Sequence, residues 1–287
     1  MTNGMARAAL GFGLVVAAGI GLVVFGGSRW RVATQAQRAQ LEAARVPARA
    51  RRYDAREIDG LPAPVQRYFR AVLKDGQPLI ATATFDLVGT INLSATGEQW
   101  KPFTSTQRAV THRPGFLWNG RVAMLPGLAA HVQDSYIAGV GTLHAAVLGL
   151  FTVARVKGDG EIARGELMRY FAEMAWYPTA LLPSQGVRWA AVDDRAAHAT
   201  LVDGAISLTL LFRFDNAGLI ASVHADARGA GVGKDTVMLP WDCSVSDYQL
   251  RGGMMVPTRG EAAWVRPEGR KPYFLGHLTS LVYEFSP

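Results

Sequence analysis

From Ala8 to Gly27 the chain reads AALGFGLVVAAGIGLVVFGG, twenty consecutive residues without a charge. As a helix, a run of that length rises about 30 Å, the thickness of a bilayer's hydrocarbon core. Its glycines weaken a helix in water but are tolerated in lipid, where every backbone group must be bonded within the segment. The rival reading is a cleaved signal peptide. The apolar region of such a peptide is only about 7–15 residues long and ends at a small-residue site. Here the run is longer and leads into Ser28-Arg29-Trp30, with no cysteine following to carry a lipid. The expectation is a tail and single transmembrane helix over residues 1–28.

Charge supports an organisation in three parts. Residues 1–56 hold nine arginines against Glu42 and Asp54, which accounts for the whole formal charge of +7; the remainder is balanced. The basic character therefore belongs to the segment beside the membrane, where anionic headgroups attract arginine. A nucleic-acid partner is not expected, because that would need a basic face on the folded part. Residues 29–46 are rich in helix-forming Ala, Gln, Arg, Leu and Glu, with Pro47 as a stop. We read 29–56 as a basic helical stalk, a solvated spacer, and 57–287 as one soluble domain.

Within that domain, Asp59-Gly60-Leu61-Pro62 marks a helix start, and Leu61, Val65, Tyr68, Phe69 and Val72 share one helical face. This predicts a helix at about 62–74. From Leu79 onward, short stretches alternate apolar and polar residues between Gly, Pro and Asn. The clearest pair is Ile206–Phe214 and Leu219–Ala227 around the turn Asp215-Asn216-Ala217-Gly218. In the second strand Leu219, Ala221, Val223, Ala225 and Ala227 are expected to share a face. Further strands are expected at Thr82–Leu93, Thr106–His112, Gly115–Met124, His131–Ala138, Arg188–Val192, Ala197–Val202, Val237–Tyr248, Met255–Val265 and Tyr273–Phe285. Short connections imply antiparallel pairing. One helix interrupts them at 161–176, with Leu167, Phe171 and Met174 on its sheet-facing side and Glu166, Arg169, Tyr170 and Glu173 opposite. The fold class is α+β: a strongly curved antiparallel sheet wrapping helices.

Few motifs carry chemistry. Arg228–Asp235 (RGAGVGKD) has the glycines of a phosphate loop but has Arg228 where its first glycine must stand, and Asp235 where a Ser or Thr must reach magnesium. We read it as a mobile hairpin loop. The six histidines have no zinc spacing, so no metal or cofactor is expected. Cys243 reads as a small core residue, and no Gly-x-Ser-x-Gly elbow occurs. The polar helix face offers three readings: an enzyme site using Glu166 or Glu173 as general acid/base with Arg169 binding an anion, a salt-bridged solvated face, or a buried pair fixing register. The aromatics Tyr170, Trp176, Tyr177, Trp118, Trp241 and Trp264 are candidates to line an apolar ligand pocket.

The stretch Glu166–Pro183, ELMRYFAEMAWYPTALLP, resembles the hallmark of a bacterial family of unknown function. Leu61–Phe69, Pro114–Trp118, Asp134-Ser135-Tyr136, Pro240-Trp241 and Gly260–Trp264 agree with it, in order, across residues 57–287. The strand pattern also looks like the lipoprotein-carrier fold of the LolA and LolB type, in which an open curved sheet holds acyl chains. The family has no activity to carry over; the anchor and arginine-rich stalk, the many aromatic and aliphatic strand positions and the lack of a catalytic signature together lead us to expect a non-catalytic binder of an apolar or acylated ligand at the bacterial inner membrane, with membrane lipid as partner. A partner-docking scaffold is the further alternative. Arg29, Arg31, Arg38 and Arg45 after the apolar run predict a cytoplasmic domain by the positive-inside rule; the carrier resemblance points to the periplasm instead.

Overall fold

The computed structural model describes residues 2–47, 50–94, 97–232 and 235–286. Helix α1 (Thr2–Ala43) is followed by a single turn, Ala55–Ile58, and by α2 (Ala63–Val72). A first meander contains β1 (Ile80–Asn92), β2 (Trp100–Val110), β3 (Gly115–Leu125), β4 (Leu128–Ile137), β5 (Val140–Val147) and β6 (Phe151–Gly158). Helix α3 (Glu161–Ala172) runs into short 3-10 turns over Glu173–Trp176, Pro178–Leu181 and Pro183–Gln185, where Pro178 and Pro183 forbid further α-helix. A second meander holds β7 (Arg188–Asp193), β8 (Ala196–Asp203), β9 (Ile206–Phe214), β10 (Ile220–Val232), β11 (Asp235–Arg251), β12 (Met254–Arg266) and β13 (Gly269–Phe285).

Among the described residues the strands form one antiparallel sheet in the order β6-β5-β4-β3-β2-β1-β13-β12-β11-β10-β9-β8-β7. The meanders are thus joined where β1 meets β13, from Ile80↔Phe285 to Ile91↔Phe274. The sheet is open, with β6 and β7 at its edges. It curls around α3, which touches β3, β4, β5 and β6 on one arm and β9 and β10 on the other. Two glycine features permit the close approach. A Cβ on Gly141 would lie 2.6 Å from the backbone of Ala163, so α3 rests directly on β5. Across the seam, Phe103, Gly89, Gly276, Gly260 and Val245 are register partners on five adjacent strands. The indole of Trp176 lies over this gap, 3.1 Å from where a Gly260 Cβ would stand, and its Nε1 donates to the Pro257 carbonyl at 3.0 Å.

The expected helices and most strands are present, with two differences in the sheet. β5 and β6 escape the sequence reading, because their turn at Leu148-Gly149-Leu150 carries no Asn, Asp or Pro. In β10 the expected face fails at both ends: a register shift against β9 between Ile220 and Ser222 buries Ile220 rather than Leu219 or Ala221, and a bulge in the pairing with β11 between Ala225 and Arg228 leaves Ala227 exposed and turns Arg228 inward. The expected face of α2 is confirmed in Val65, Tyr68, Phe69 and Val72, all buried. Leu167, Phe171 and Met174 of the third helical segment are buried against the sheet as expected. So are Glu166 and Tyr170 on the opposite side, because the sheet covers both.

The stalk is not a solvated spacer. The C-terminal half of α1 lies on the outer face of the first meander. Trp30 is buried over His131 and His144, with ring centroids 5.4 and 5.0 Å away, and its Nε1 donates to Asn119 Oδ1 at 2.8 Å. Further along, Gln133 donates to Thr34, Leu41 packs on Val110 and Leu117, and Glu42 pairs with Arg108. Trp30, Thr34 and Leu41 recur at the spacing of one helical stripe. Ile20, Leu22, Val23, Val24 and Phe25 of the same helix are exposed. Among the described residues no helix is long and apolar enough to cross a membrane. The side chains of Ala8–Val16, half of the expected span, lie outside the described residues. So do Gly233 and Lys234 of the glycine-rich stretch expected to form a mobile hairpin loop.

Candidate functional site

The polar face of α3 meets the concave face of the sheet, and two arginines organise the contact. Arg169 sits one helical turn before Glu173, so its Nε donates to Glu173 Oε1 at 2.9 Å. Its Nη1 donates to Asp134 Oδ2 on β4 at 2.8 Å, and its Nη2 to Gln107 Oε1 on β2 at 3.1 Å. Gln107 in turn donates to Glu173. Gln107, Trp118 and Asp134 are register partners across β2, β3 and β4, so one inward row supplies all three. The guanidinium lies 5.1 Å from the ring centroids of both Phe116 and Trp118. Burial works against its charge, but Glu173, Asp134 and Glu166 outweigh that and hold Arg169 firmly protonated.

Arg228 enters from the opposite arm through the β10 bulge. Its guanidinium lies 4.6 Å from the Trp241 ring and 5.7 Å from that of Trp264, and Nη1 donates to the Tyr273 hydroxyl at 3.2 Å. Trp241 Nε1 donates to the same hydroxyl at 3.0 Å, and Trp264 stacks on Tyr273 with centroids 5.6 Å apart. Gly165 of α3 faces this arginine: a Cβ there would come 3.5 Å from Arg228 Nε.

Glu166 lies between the two arginines and is only 5% exposed. Burial, then the charge of Asp134, pushes its carboxyl up to about 8, against the opposing pull of Arg169 and Arg228. Burial also raises Asp134, though Arg169 restrains it. Holding Glu166 protonated lowers the number of charges buried between α3 and the sheet, which a low dielectric favours. Glu166 Oε2, Asp134 Oδ1 and Arg228 Nε have no hydrogen-bond partner among the described residues.

The candidates read from sequence separate into two groups. Tyr170, Trp176 and Tyr177 are fully enclosed and occupied by the protein itself: Tyr170 donates to the Val110 carbonyl at 2.9 Å, Tyr177 to the Tyr170 carbonyl at 2.8 Å, and Trp176 to Pro257. Trp118 and Trp241 are just as buried but pack against the arginines, and of the six only Trp264 is half-buried, as are Tyr273 and Phe274. Glu166, Arg169 and Glu173 do converge, but the face is not solvated. The polar face reads as the buried, register-fixing alternative, and Arg169 spends a donor on each of three partners. Cys243 is half-buried, with its thiol pushed up to about 12 by burial. Sequence reading missed Asp134, Gln107, Arg228 and Tyr273 as members of the cluster. Arg228 carried no local signal, since the alternation runs on through Ala227 and only the pairing with β11 turns it inward; Gln107 and Asp134 are strand residues whose partner is remote in sequence.

The profile of a family described as "Family of unknown function (DUF6920)" matches residues 59–283. No curated protein matches the chain. Among solved structures, the chain is similar to a LolA superfamily protein from Nitrosomonas europaea, at 8% identity and a TM-score of 0.41, over 79% of this chain and 96% of that one. It is also similar to a porin-like protein from Bacteroides uniformis, at 9% identity and a TM-score of 0.25, over 71% and 96% of the two chains. A beta-barrel-like protein of domain of unknown function DUF1849 from Brucella abortus aligns at 12% identity and a TM-score of 0.21, over 72% and 98%.

Proposed function

The chain belongs to the DUF6920 family of unknown function, and we propose that it is a membrane-anchored, non-catalytic binder of an apolar or lipid-like ligand. The anchor is α1 across Ala8–Gly27. The ligand-binding wall is the concave face at Trp264 and Tyr273, backed by the buried Trp118 and Trp241. One observation carries the reading: a half-buried aromatic pair, Trp264 and Tyr273, borders an inward arginine, Arg228, whose Nε is buried without a partner among the described residues. An apolar wall with one charged donor suits an amphiphile, whose tail lies on the rings and whose polar end meets the guanidinium. The bacterial inner membrane is the proposed location. The arginine distribution favours a cytoplasmic domain, and a periplasmic one is the alternative. Alkaline phosphatase fused after the chain stays inactive in the first case and is active in the second.

Native mass spectrometry of the detergent-solubilised protein, with extraction of bound lipid, tests the function. The expected result is a co-purifying acyl species that is lost in Trp264→Asp while the fold is kept. A protein that carries no such species and takes up none from added lipid overturns the reading.

A further inference from the structure

The last residues of the apolar run touch the sheet directly. A Cβ on Gly26 would lie 2.0 Å from the Leu148 carbonyl oxygen and 2.8 Å from the Leu150 side chain. The turn between β5 and β6 is therefore in contact with α1 at the end of Ala8–Gly27. Leu148 N–H donates to the Ala129 carbonyl at 3.1 Å, which sets the β3–β4 turn beside the β5–β6 turn. Both turns are apolar outward: Leu125 is 64% and Phe151 61% exposed. One turn further along α1, about 6 Å, Trp30 is held over His131 and His144. Their register partners Arg121 and Arg155 are exposed there, as are Arg29 and Arg31 of α1. Along the helix axis, the order is exposed aliphatics, apolar turns, then a collar of arginines.

From this arrangement we infer that the β3–β4 and β5–β6 turns form a second membrane contact, dipping Leu125 and Phe151 into the interface of the bilayer that α1 crosses, with Arg29, Arg31, Arg121 and Arg155 at the level of the lipid phosphates. The inference rests on the anchoring part of the proposed function and adds an orientation to it. The helix is continuous from Thr2 to Ala43 and clamped from Gly26 to Glu42. No flexible linker separates span from domain, so where the span ends, the turns must lie. Exposed aromatic and aliphatic tips backed by arginines have the composition of an interfacial anchor. A bilayer also explains why large apolar side chains crowd these two turns beside an apolar helix.

The test is site-directed spin labelling of the full chain in vesicles of phosphatidylethanolamine and phosphatidylglycerol. Nitroxides are placed singly at Phe151→Cys, Leu125→Cys, Val23→Cys on the exposed side of α1, and Leu250→Cys, an exposed position beside the β11–β12 turn. The labels are introduced in a Cys243→Ser background, because the native thiol is only half-buried. Power saturation with oxygen and a water-soluble nickel chelate reports depth. The expected result is oxygen-rich, nickel-poor accessibility at 23, 125 and 151 and the reverse at 250. If 23 is in lipid while 125 and 151 match 250, the rim contact is wrong and the anchor stands. Labels at 125 and 151 shielded from both probes indicate a protein partner and also overturn the inference. If 23 is aqueous, the anchoring itself fails and takes the inference with it.

Discussion

Arg169 Nη1 and Asp134 Oδ2 are joined at 2.8 Å across the space between α3 and β4, both side chains almost wholly removed from solvent. The bond ties a helix in the middle of the chain to a strand 35 residues earlier. It also explains how the charged face of a helix can be largely covered by the sheet. Each charge on that face is met by a specific group on the concave row Gln107–Trp118–Asp134, so register and helix position fix each other.

Removing Arg169 should be far worse than neutralising Glu166. Arg169→Leu leaves Asp134 and Glu173 buried without their cation, a change that costs about 3–5 kcal/mol. Glu166→Gln replaces a carboxyl already held protonated and should change stability by less than about 1 kcal/mol near pH 5, an ordinary figure for a near-isosteric change at a group that keeps its charge state. Urea unfolding of the two variants beside the parent compares them. Equal losses would show that Arg169 is not the hub of the cluster.

The same carboxyl gives a pH dependence of definite sign. Folded Glu166 titrates at about 8, above the ~4.3 of an unfolded glutamate. The folded chain therefore holds a proton that the unfolded chain releases. Its contribution is complete below about pH 4.3 and is lost as pH rises through about 8, at no more than ~1.4 kcal/mol per pH unit. Glu166→Gln cannot titrate. Between about pH 5 and pH 8 the variant should therefore gain steadily on the parent in unfolding free energy and then run parallel. A pH-independent difference would mean that Glu166 ionises normally in the folded protein.

Trp176 and Trp264 should separate as core and wall. Trp176→Ala empties the space over Gly260 and removes the bond to Pro257, a loss of about 3–5 kcal/mol. Trp264 is half-buried, so Trp264→Ala should cost clearly less and act mainly on ligand retention. Thermal unfolding of both variants decides the point. A larger loss for Trp264 would place it in the structural core.

Gly26→Leu tests the docking of α1. The new side chain collides with the Leu148 carbonyl and Leu150, and overpacking of this kind costs about 1–3 kcal/mol. Amide exchange should rise across Gly27–Ala43 and the β5–β6 turn, leaving β11–β13 unchanged. Unaltered protection of α1 would show that the helix is held by Trp30 and Leu41 alone.

The periodicities of the chain determined much of this protein by themselves. Leu61 to Val72 specify α2, and Ile206 to Gly218 specify a strand and its turn, because one face of each element must meet a core and the turn chemistry is local. Membership of the DUF6920 family was legible in the sequence as well, since the family profile matches residues 59–283. What the sequence could not show was the sheet's closure onto α3, since the pairing of β1 with β13 joins residues about 200 apart, and no local pattern encodes it. That closure decided that Glu166 and Arg169 are buried rather than solvated, and that Gln107 and Asp134 are their partners. It also took Tyr170, Trp176, Tyr177, Trp118 and Trp241 into the core, leaving only Trp264 of the six half-buried. The bulge after Ala225, which brings Arg228 inside, and the seat of Trp30 on β3 to β5 are likewise tertiary decisions. Burial of a polar group depends on what covers it, and here the cover comes from the far end of the chain.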